Sequence, residues 1–161
     1  MEYEIFLRWI HVIGACVLLG TGAGIAFFML MAHRSGNALV ISHTAKIVVL
    51  TDFLFTTSAV VVQPLSGILL AIEIGWSLFQ GWVFVSLVLY IVVGFCWLPV
   101  VWIQIQLRKE ADLAVKKGEG LSVRYHRLFK IWFALGIPAF ILVITIVWLM
   151  IAKPSFELGL Y

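Results

Sequence analysis

Four long apolar segments occupy nearly all of this 161-residue chain. They run over about 5–32, 45–72, 81–107 and 128–152, and each exceeds the roughly 20 residues that a helix needs to cross a bilayer. Because the backbone must satisfy its own hydrogen bonds in lipid, segments of this kind form helices. The sequence therefore predicts an all-α polytopic membrane protein, a four-transmembrane-helix bundle that makes up a single transmembrane domain over 1–161.

The few charged residues predict the orientation of this bundle. They make up 12% of the chain, about half of what a soluble domain carries. The basic ones concentrate in the predicted loops 33–44 and 108–127, whereas the loop between spans two and three carries only Glu73. By the positive-inside rule, loops 33–44 and 108–127 are cytoplasmic and both termini lie outside a bacterial-type inner (cell) membrane. We expect no nucleic-acid partner, because the modest basic charge is accounted for by orientation.

Proline and glycine residues mark special positions within the spans. Pro64, Pro99 and Pro138 each lie inside a span, and each is expected to kink its helix because it lacks a backbone N–H. Gly20 and Gly24 form a GxxxG pattern in the first span, which is typical of close helix packing.

His11 is the strongest indication of chemistry in the chain, since an ionisable side chain inside a membrane usually has a function. At about 100° per residue, Gly22, Met29 and His33 lie on the same helix face as His11. A histidine that projects into an apolar helix bundle suits the iron of b-type haem, and Gly22 on that face either packs against a helix or leaves space for a flat cofactor. The alternative for His11 is a hydrogen bond to a neighbouring helix.

Two further residues complete the predicted haem site. Met150 in the fourth span is the nearest soft ligand for the second axial position, with Lys153 just beyond it. Arg8 lies one turn before His11 and could pair with a haem propionate or an anionic substrate. The alternative for Arg8 is an ion pair with Glu4 at i,i+4 on the helix surface.

Asp52 is the one acidic residue expected inside a span, about seven residues from the cytoplasmic start of the second one. A carboxylate there costs about 2–3 kcal/mol unless it is paired or protonated. We expect a salt bridge with Arg127 or Lys130 of the fourth span; the alternative is a role in proton transfer or in holding a ligand.

Three histidines fall near the predicted cytoplasmic rim: His33, His43 and His126. We expect His33 and His126 to be buried polar residues. The three could bind a transition metal or be solvated rim residues. With Met29 and Met31 they would also suit copper handling, the weakest of the functional hypotheses.

Six short motifs along the whole chain carry a resemblance to a known superfamily of membrane proteins. They are Leu7–Val12, Phe27–His33, Gln63–Gly67, Gly81–Trp82, Tyr125–Phe129 and Ala152–Pro154. In these motifs the chain resembles the HemJ-type protoporphyrinogen oxidases and the related CopD-like small membrane proteins. It looks most similar to a branch described as predicted integral membrane proteins of unknown function.

The resemblance implies a bundle of four or five helices, b-type haem and oxidation of protoporphyrinogen. His11 and His33 match the two histidines of that family's first span. The chain departs from the family after Gly81–Trp82, where Phe84 and Ser86 stand near the positions of a histidine and a lysine. An apolar stretch, 133–137, replaces an acidic element before the last proline.

Together these features predict an integral inner-membrane, b-type haem-binding redox protein related to the HemJ-type oxidases. As a haem-dependent oxidoreductase it would act on a porphyrin or quinone-like substrate. The alternative is a non-enzymatic membrane subunit or small transporter-like protein without a cofactor. In both cases the bilayer surrounds the chain, and a homo-oligomer is compatible with it.

Overall fold

The computed structural model describes residues 2–155, which form helices joined by short turns without any strand. The helices are α1 (Glu2–Arg34), α2 (Ala38–Thr51), α3 (Thr57–Ile74), α4 (Gly81–Lys117) and α5 (Val123–Ala152). In this part of the chain, four helical segments are long and apolar enough to cross a membrane, with α2 and α3 forming one of them. The predicted all-α, four-helix membrane bundle is confirmed.

A π-helical turn, Asp52–Thr56, joins α2 to α3 without interrupting the 37-residue helical segment. The Thr57 N–H bonds to the Asp52 carbonyl, which is the i→i+5 spacing of a π-helix. The side chains of Asp52 and Thr56 are both buried. The turn therefore directs two polar side chains into the bundle near the middle of the segment.

The helices are longer than the apolar segments of the sequence. Most of the expected loops 33–44 and 108–127 is helical, and only 35–37 and 118–122 connect the helices there. Hydropathy marks the part of a helix that lies in lipid, whereas the helix itself continues to its capping residue. At 1.5 Å per residue α4 is about 55 Å long, well beyond the roughly 30 Å of the hydrocarbon core.

Caps at these two connections explain where the helices begin and end. The Asn37 side chain accepts a hydrogen bond from the Leu39 N–H (2.9 Å) at the start of α2. The Ser122 hydroxyl oxygen accepts one from the Tyr125 N–H (3.0 Å) at the start of α5. Gly118 ends α4 at φ 65°, a left-handed conformation that favours glycine. These caps hold neighbouring helices in an antiparallel hairpin.

The main apolar core lies toward the end of the bundle that holds these two connections, which we call the basic end. All four membrane-crossing segments contribute to it. Its buried members are Ile25, Met29, Ala32, Ile41, Ala45, Val48, Val100, Ile103, Leu107, Ala111, Tyr125, Phe129 and Trp132. The opposite end, where α1 begins and α5 ends, is the terminal end.

The GxxxG pattern makes no helix contact within the described chain. A Cβ on Gly20 would meet no atom within 4 Å, and one on Gly24 would meet only Phe28 of the same helix. The prediction that these glycines pack helices of this chain together is therefore wrong. In the middle of α1 the neighbouring helices lie on another face, so the pattern looks outward.

A tyrosine of α4 compensates for the proline inside α3. Pro64 has no N–H and so leaves the carbonyl of Val60, four residues earlier, without its helical donor. The Tyr90 hydroxyl donates to that carbonyl at 2.7 Å. Because lipid offers no substitute donor, this hydrogen bond fixes α4 against α3 at that level.

Tyr90→Phe is expected to destabilise the protein by about 1–3 kcal/mol, because it leaves a buried carbonyl unpaired. In a Pro64→Ala background the cost should be clearly smaller, since the substituted alanine supplies the missing N–H. Thermal unfolding of the four proteins of this cycle in detergent measures both costs. Equal costs in the two backgrounds would contradict this role of Tyr90.

Candidate functional site

A hydrogen bond to α3 sets the orientation and the tautomer of His11. Its Nδ1 lies 3.0 Å from the Ser66 hydroxyl oxygen, and the Ser66 hydroxyl itself lies 2.7 Å from the Val62 carbonyl. Because that hydroxyl proton goes to the carbonyl, its oxygen accepts from Nδ1–H. The lone pair of the ring then lies on Nε2, the arrangement found in metal-ligating histidines.

Two glycines allow α1 and α3 to approach closely around His11. A Cβ on Gly67 would lie 2.9 Å from the His11 ring, and one on Gly14 would lie 2.6 Å from the Gln63 amide. With the amide oriented so that its nitrogen faces α1, the Gln63 side chain donates to the His11 carbonyl (2.8 Å) and accepts from the Ala15 N–H (3.2 Å). Gln63 therefore joins α3 to the backbone of α1.

His11 lies in a pocket of about 270 Å³ at the terminal end, which we call the His11 pocket. Arg8, Met150 and Lys153 also line it, together with mostly apolar residues of α3 and α4. The structure thus brings together three of the four predicted cofactor residues, Arg8, His11 and Met150, and places Lys153 beside them. They come from opposite ends of the chain, which the antiparallel bundle places side by side.

Both cations of the His11 pocket already have partners. Arg8 pairs with Glu4 at 2.6 Å, which is the i,i+4 ion pair expected as the alternative to a contact with a haem propionate. Lys153 Nζ lies 4.5 Å from the centre of the Trp76 ring, a cation–π distance. The Trp76 ring in turn packs edge-on against Trp82 at 5.0 Å between centres. The mouth of the pocket is therefore basic and aromatic.

Gly22, the fourth predicted cofactor residue, lies elsewhere. It is 11 residues, or about 16 Å, along α1 from His11, and it lines a separate central cavity. The prediction that it shares a cofactor site with His11 is therefore wrong. A Cβ on Gly22 would meet no atom within 4 Å, so the residue borders open space and does not pack against another helix.

The central cavity has a volume of about 200 Å³ and lies among all four membrane-crossing segments. Its walls are mostly apolar and aromatic, and its polar lining includes Asp52, Thr56, Tyr90, Trp97, Gln104 and Trp132. Asp52 is only 4% exposed. One carboxyl oxygen lies 3.4 Å from the Trp97 indole nitrogen, and the other has no partner among residues 2–155.

The expected salt bridge of Asp52 is not formed. Both proposed partners, Arg127 and Lys130, are exposed, and none of the ion pairs in the described residues involves Asp52. The reason is depth. Asp52 follows the 14 residues of α2, whereas Arg127 and Lys130 are the fifth and eighth residues of α5. The carboxyl therefore lies much deeper than either cation.

The histidines of the basic end do not form a metal site. The described residues contain no group of three or more His, Cys, Asp or Glu that could hold a metal ion. His33 stacks on Phe129 with ring centres 3.6 Å apart, and its Nδ1 lies 3.2 Å from the Tyr125 hydroxyl. His126 is exposed, so the expectation that it is buried is wrong: Tyr125 and Phe129 take the inward positions of that turn.

Sequence reasoning missed the polar residues that matter most at both sites. Ser66 orients His11 yet lay unremarked inside the Gln63–Gly67 motif. Trp97, Gln104 and Trp132 carry neither a charge nor a motif that would distinguish them in the sequence. Their only signal was a hydrogen-bonding atom within an apolar run, and a tertiary structure was needed to show that they face one cavity.

The four apolar helices and the polar sites enclosed among them define an integral membrane protein. The chain belongs to a family described as Predicted integral membrane protein (DUF2269), whose family model matches residues 5–154. The match names neither the HemJ-type nor the CopD-like proteins, so kinship with them stays a prediction. No curated protein and no solved structure matches the chain.

Gly67→Ala is expected to destabilise the protein by about 1–3 kcal/mol, because the new Cβ would displace the His11 ring and break its bond to Ser66. Gly20→Ala is the matched control. It adds the same methyl group to open space and should be neutral or stabilising by up to about 1 kcal/mol. Thermal unfolding in detergent compares the two variants, and similar stabilities would refute the close approach at Gly67.

Proposed function

We propose that this membrane protein binds a b-type haem at the His11 pocket, with His11 Nε2 as the iron ligand. One observation carries the proposal. Arg8, His11, Met150 and Lys153 line the same, otherwise mostly apolar pocket. Such a group offers an imidazole and a thioether for iron and two cations for carboxylates.

The residues present fit the chemistry of this group. The Ser66 hydroxyl fixes the His11 ring at Nδ1, as outer hydrogen bonds do for metal-binding histidines. The pocket volume of about 270 Å³ lies just below the roughly 300–1,000 Å³ of sites that enclose drug-sized ligands. The pocket would therefore enclose only part of a macrocycle. When bound, haem iron supplies one-electron redox chemistry.

Each residue around the pocket has a separate task in this proposal. Ser66 orients the His11 ring, and Gly67 leaves room for it. Arg8 and Lys153, at the basic mouth, would hold carboxylates once they leave Glu4 and Trp76. Met150 would offer its thioether to the iron as a second ligand.

We extend the proposal to a redox function with a porphyrin or quinone-like substrate, which rests on the HemJ-like motifs. The positive-inside rule supports an orientation with the basic end in the cytoplasm and the His11 pocket toward the outer face of the cell membrane. In that orientation Arg8, His11 and Met150 would hold the group near the outer leaflet.

A second candidate is a cofactor-free membrane component. The observation that favours it is that His11 already forms a contact between α1 and α3, through Ser66 and through the Gln63 amide on its carbonyl. Such bonds are a sufficient reason for a histidine in a membrane helix. The two candidates differ in whether the purified protein carries a chromophore.

The deciding measurement is a visible absorption spectrum of the detergent-purified protein, oxidised and reduced, produced in cells supplied with haem precursor. The haem proposal predicts a Soret band that shifts on reduction and is lost in His11→Ala. Ser66→Ala should weaken haem retention by about tenfold or more, because the ring loses its orienting bond. Met150→Leu should change the reduced spectrum if the thioether is the second ligand.

His43→Ala is the matched control, since it removes an exposed histidine outside the pocket, and it should keep the wild-type spectrum. A colourless wild-type protein would overturn the proposal and leave the cofactor-free candidate. A Soret band that persists in His11→Ala would overturn the assignment of the ligand.

A further inference from the structure

Three buried polar atoms without partners belong to residues that line the central cavity. They are Asp52 Oδ2, Gln104 Oε1 and Trp132 Nε1, which find no hydrogen bond among residues 2–155. Asp52, Gln104 and Trp132 are only 4%, 3% and 4% exposed, respectively. An unpaired buried polar group costs free energy, and a membrane offers no water to relieve it. Three such residues on the walls of one cavity mark it as the place where a ligand would supply the missing partners.

Glycines from three helices create the space of this cavity. Gly22, Gly94 and Gly136 line it, and a Cβ on any of them would meet no atom within 4 Å. They therefore widen the cavity and do not serve close helix packing. Its volume of about 200 Å³ is below that of sites for drug-sized ligands, so it suits a single ring. Trp97, Trp132 and other aromatic side chains offer that ring flat apolar walls.

The cavity is open toward the lipid. Phe133, Ile137 and Phe140 of α5 line it and are 38%, 47% and 36% exposed. Lining residues with so much accessible surface indicate an opening of the cavity and not an enclosed wall. A ligand can therefore enter sideways from the bilayer and leave an apolar tail outside.

We propose that the central cavity binds the hydroquinone head group of a lipid-soluble quinol. The unpaired atoms are two oxygen acceptors, on Asp52 and Gln104, and one N–H donor, on Trp132. A ring with two hydroxyl groups offers two O–H donors and oxygen lone pairs, which are the kinds of partner that these three atoms lack. An organic ammonium ion would satisfy the two acceptors but has no acceptor for the indole N–H.

This site is separate from the His11 pocket. The two spaces share no lining residue, and Gly22 and His11 lie about 16 Å apart along α1. The quinol proposal therefore does not depend on haem. It assigns to Asp52 the task of accepting a hydrogen bond from a ligand hydroxyl, the ligand-holding alternative considered for its carboxyl.

The test measures equilibrium binding of a decyl-substituted benzoquinol, kept reduced with dithionite, to the full chain in detergent. Wild-type protein should bind it saturably. Gly136→Leu fills the cavity and should weaken binding by about tenfold or more. Trp132→Phe keeps an aromatic ring but removes the N–H donor, and should weaken binding by about two- to tenfold.

Gly20→Leu is the matched control for Gly136→Leu. Both glycines border open space, but Gly20 does not line the cavity, so its variant should bind like the wild type. Size-exclusion profiles confirm that each variant is folded. A Soret band is not needed for this measurement, so a colourless protein that binds the quinol would refute only the haem proposal.

Three results would overturn the quinol assignment. The first is a wild-type protein without saturable binding. The second is folded Gly136→Leu protein that binds as tightly as the Gly20→Leu control. The third is saturable binding of tetraethylammonium that is lost in Asp52→Asn but unchanged in Trp132→Phe, because it would identify the cavity as a site for organic cations.

Discussion

Backbone hydrogen bonding in lipid is the constraint on which the rest of this structure depends. No water can serve a carbonyl or N–H inside the bilayer, so neighbouring helices serve each other. Tyr90 bonds the carbonyl that Pro64 leaves free, and the Gln63 amide bonds backbone groups of α1 at His11 and Ala15. These bonds need specific contacts, and so they fix how α1, α3 and α4 lie against each other.

The two polar sites of the bundle differ in how completely the protein satisfies them. At the terminal end the His11 ring has a defined partner, and the nearby cations are paired. In the central cavity, Asp52, Gln104 and Trp132 keep unpaired atoms in surroundings where such atoms are costly. A satisfied histidine can hold a cofactor or simply join helices. An unsatisfied carboxyl beside open space is harder to explain without a ligand.

The end of the bundle at which a residue lies was predictable from the sequence, whereas the side of each helix that faces inward was not. The lengths of the spans place Arg8, His11 and Met150 at one end, and the structure brings them into one pocket. The outward direction of Gly20 and the exposure of His126 were missed, because helices that are apolar on nearly every side give little indication of their inner face. The depth of Asp52 was missed because α2 begins seven residues before the apolar segment does.

The π-helical turn links the central cavity to the His11 pocket, because it sets the rotation of α3 relative to α2. Removal of one residue between Asp52 and Thr56 would rotate α3 by about 100° relative to α2. Asp52 would keep its place beside Trp97, while Ser66 and Gly67 would turn away from His11. The number of residues in this turn thus sets the rotational register between α2 and α3. A chain one residue shorter here could preserve the cavity or the contact between His11 and Ser66, but not both.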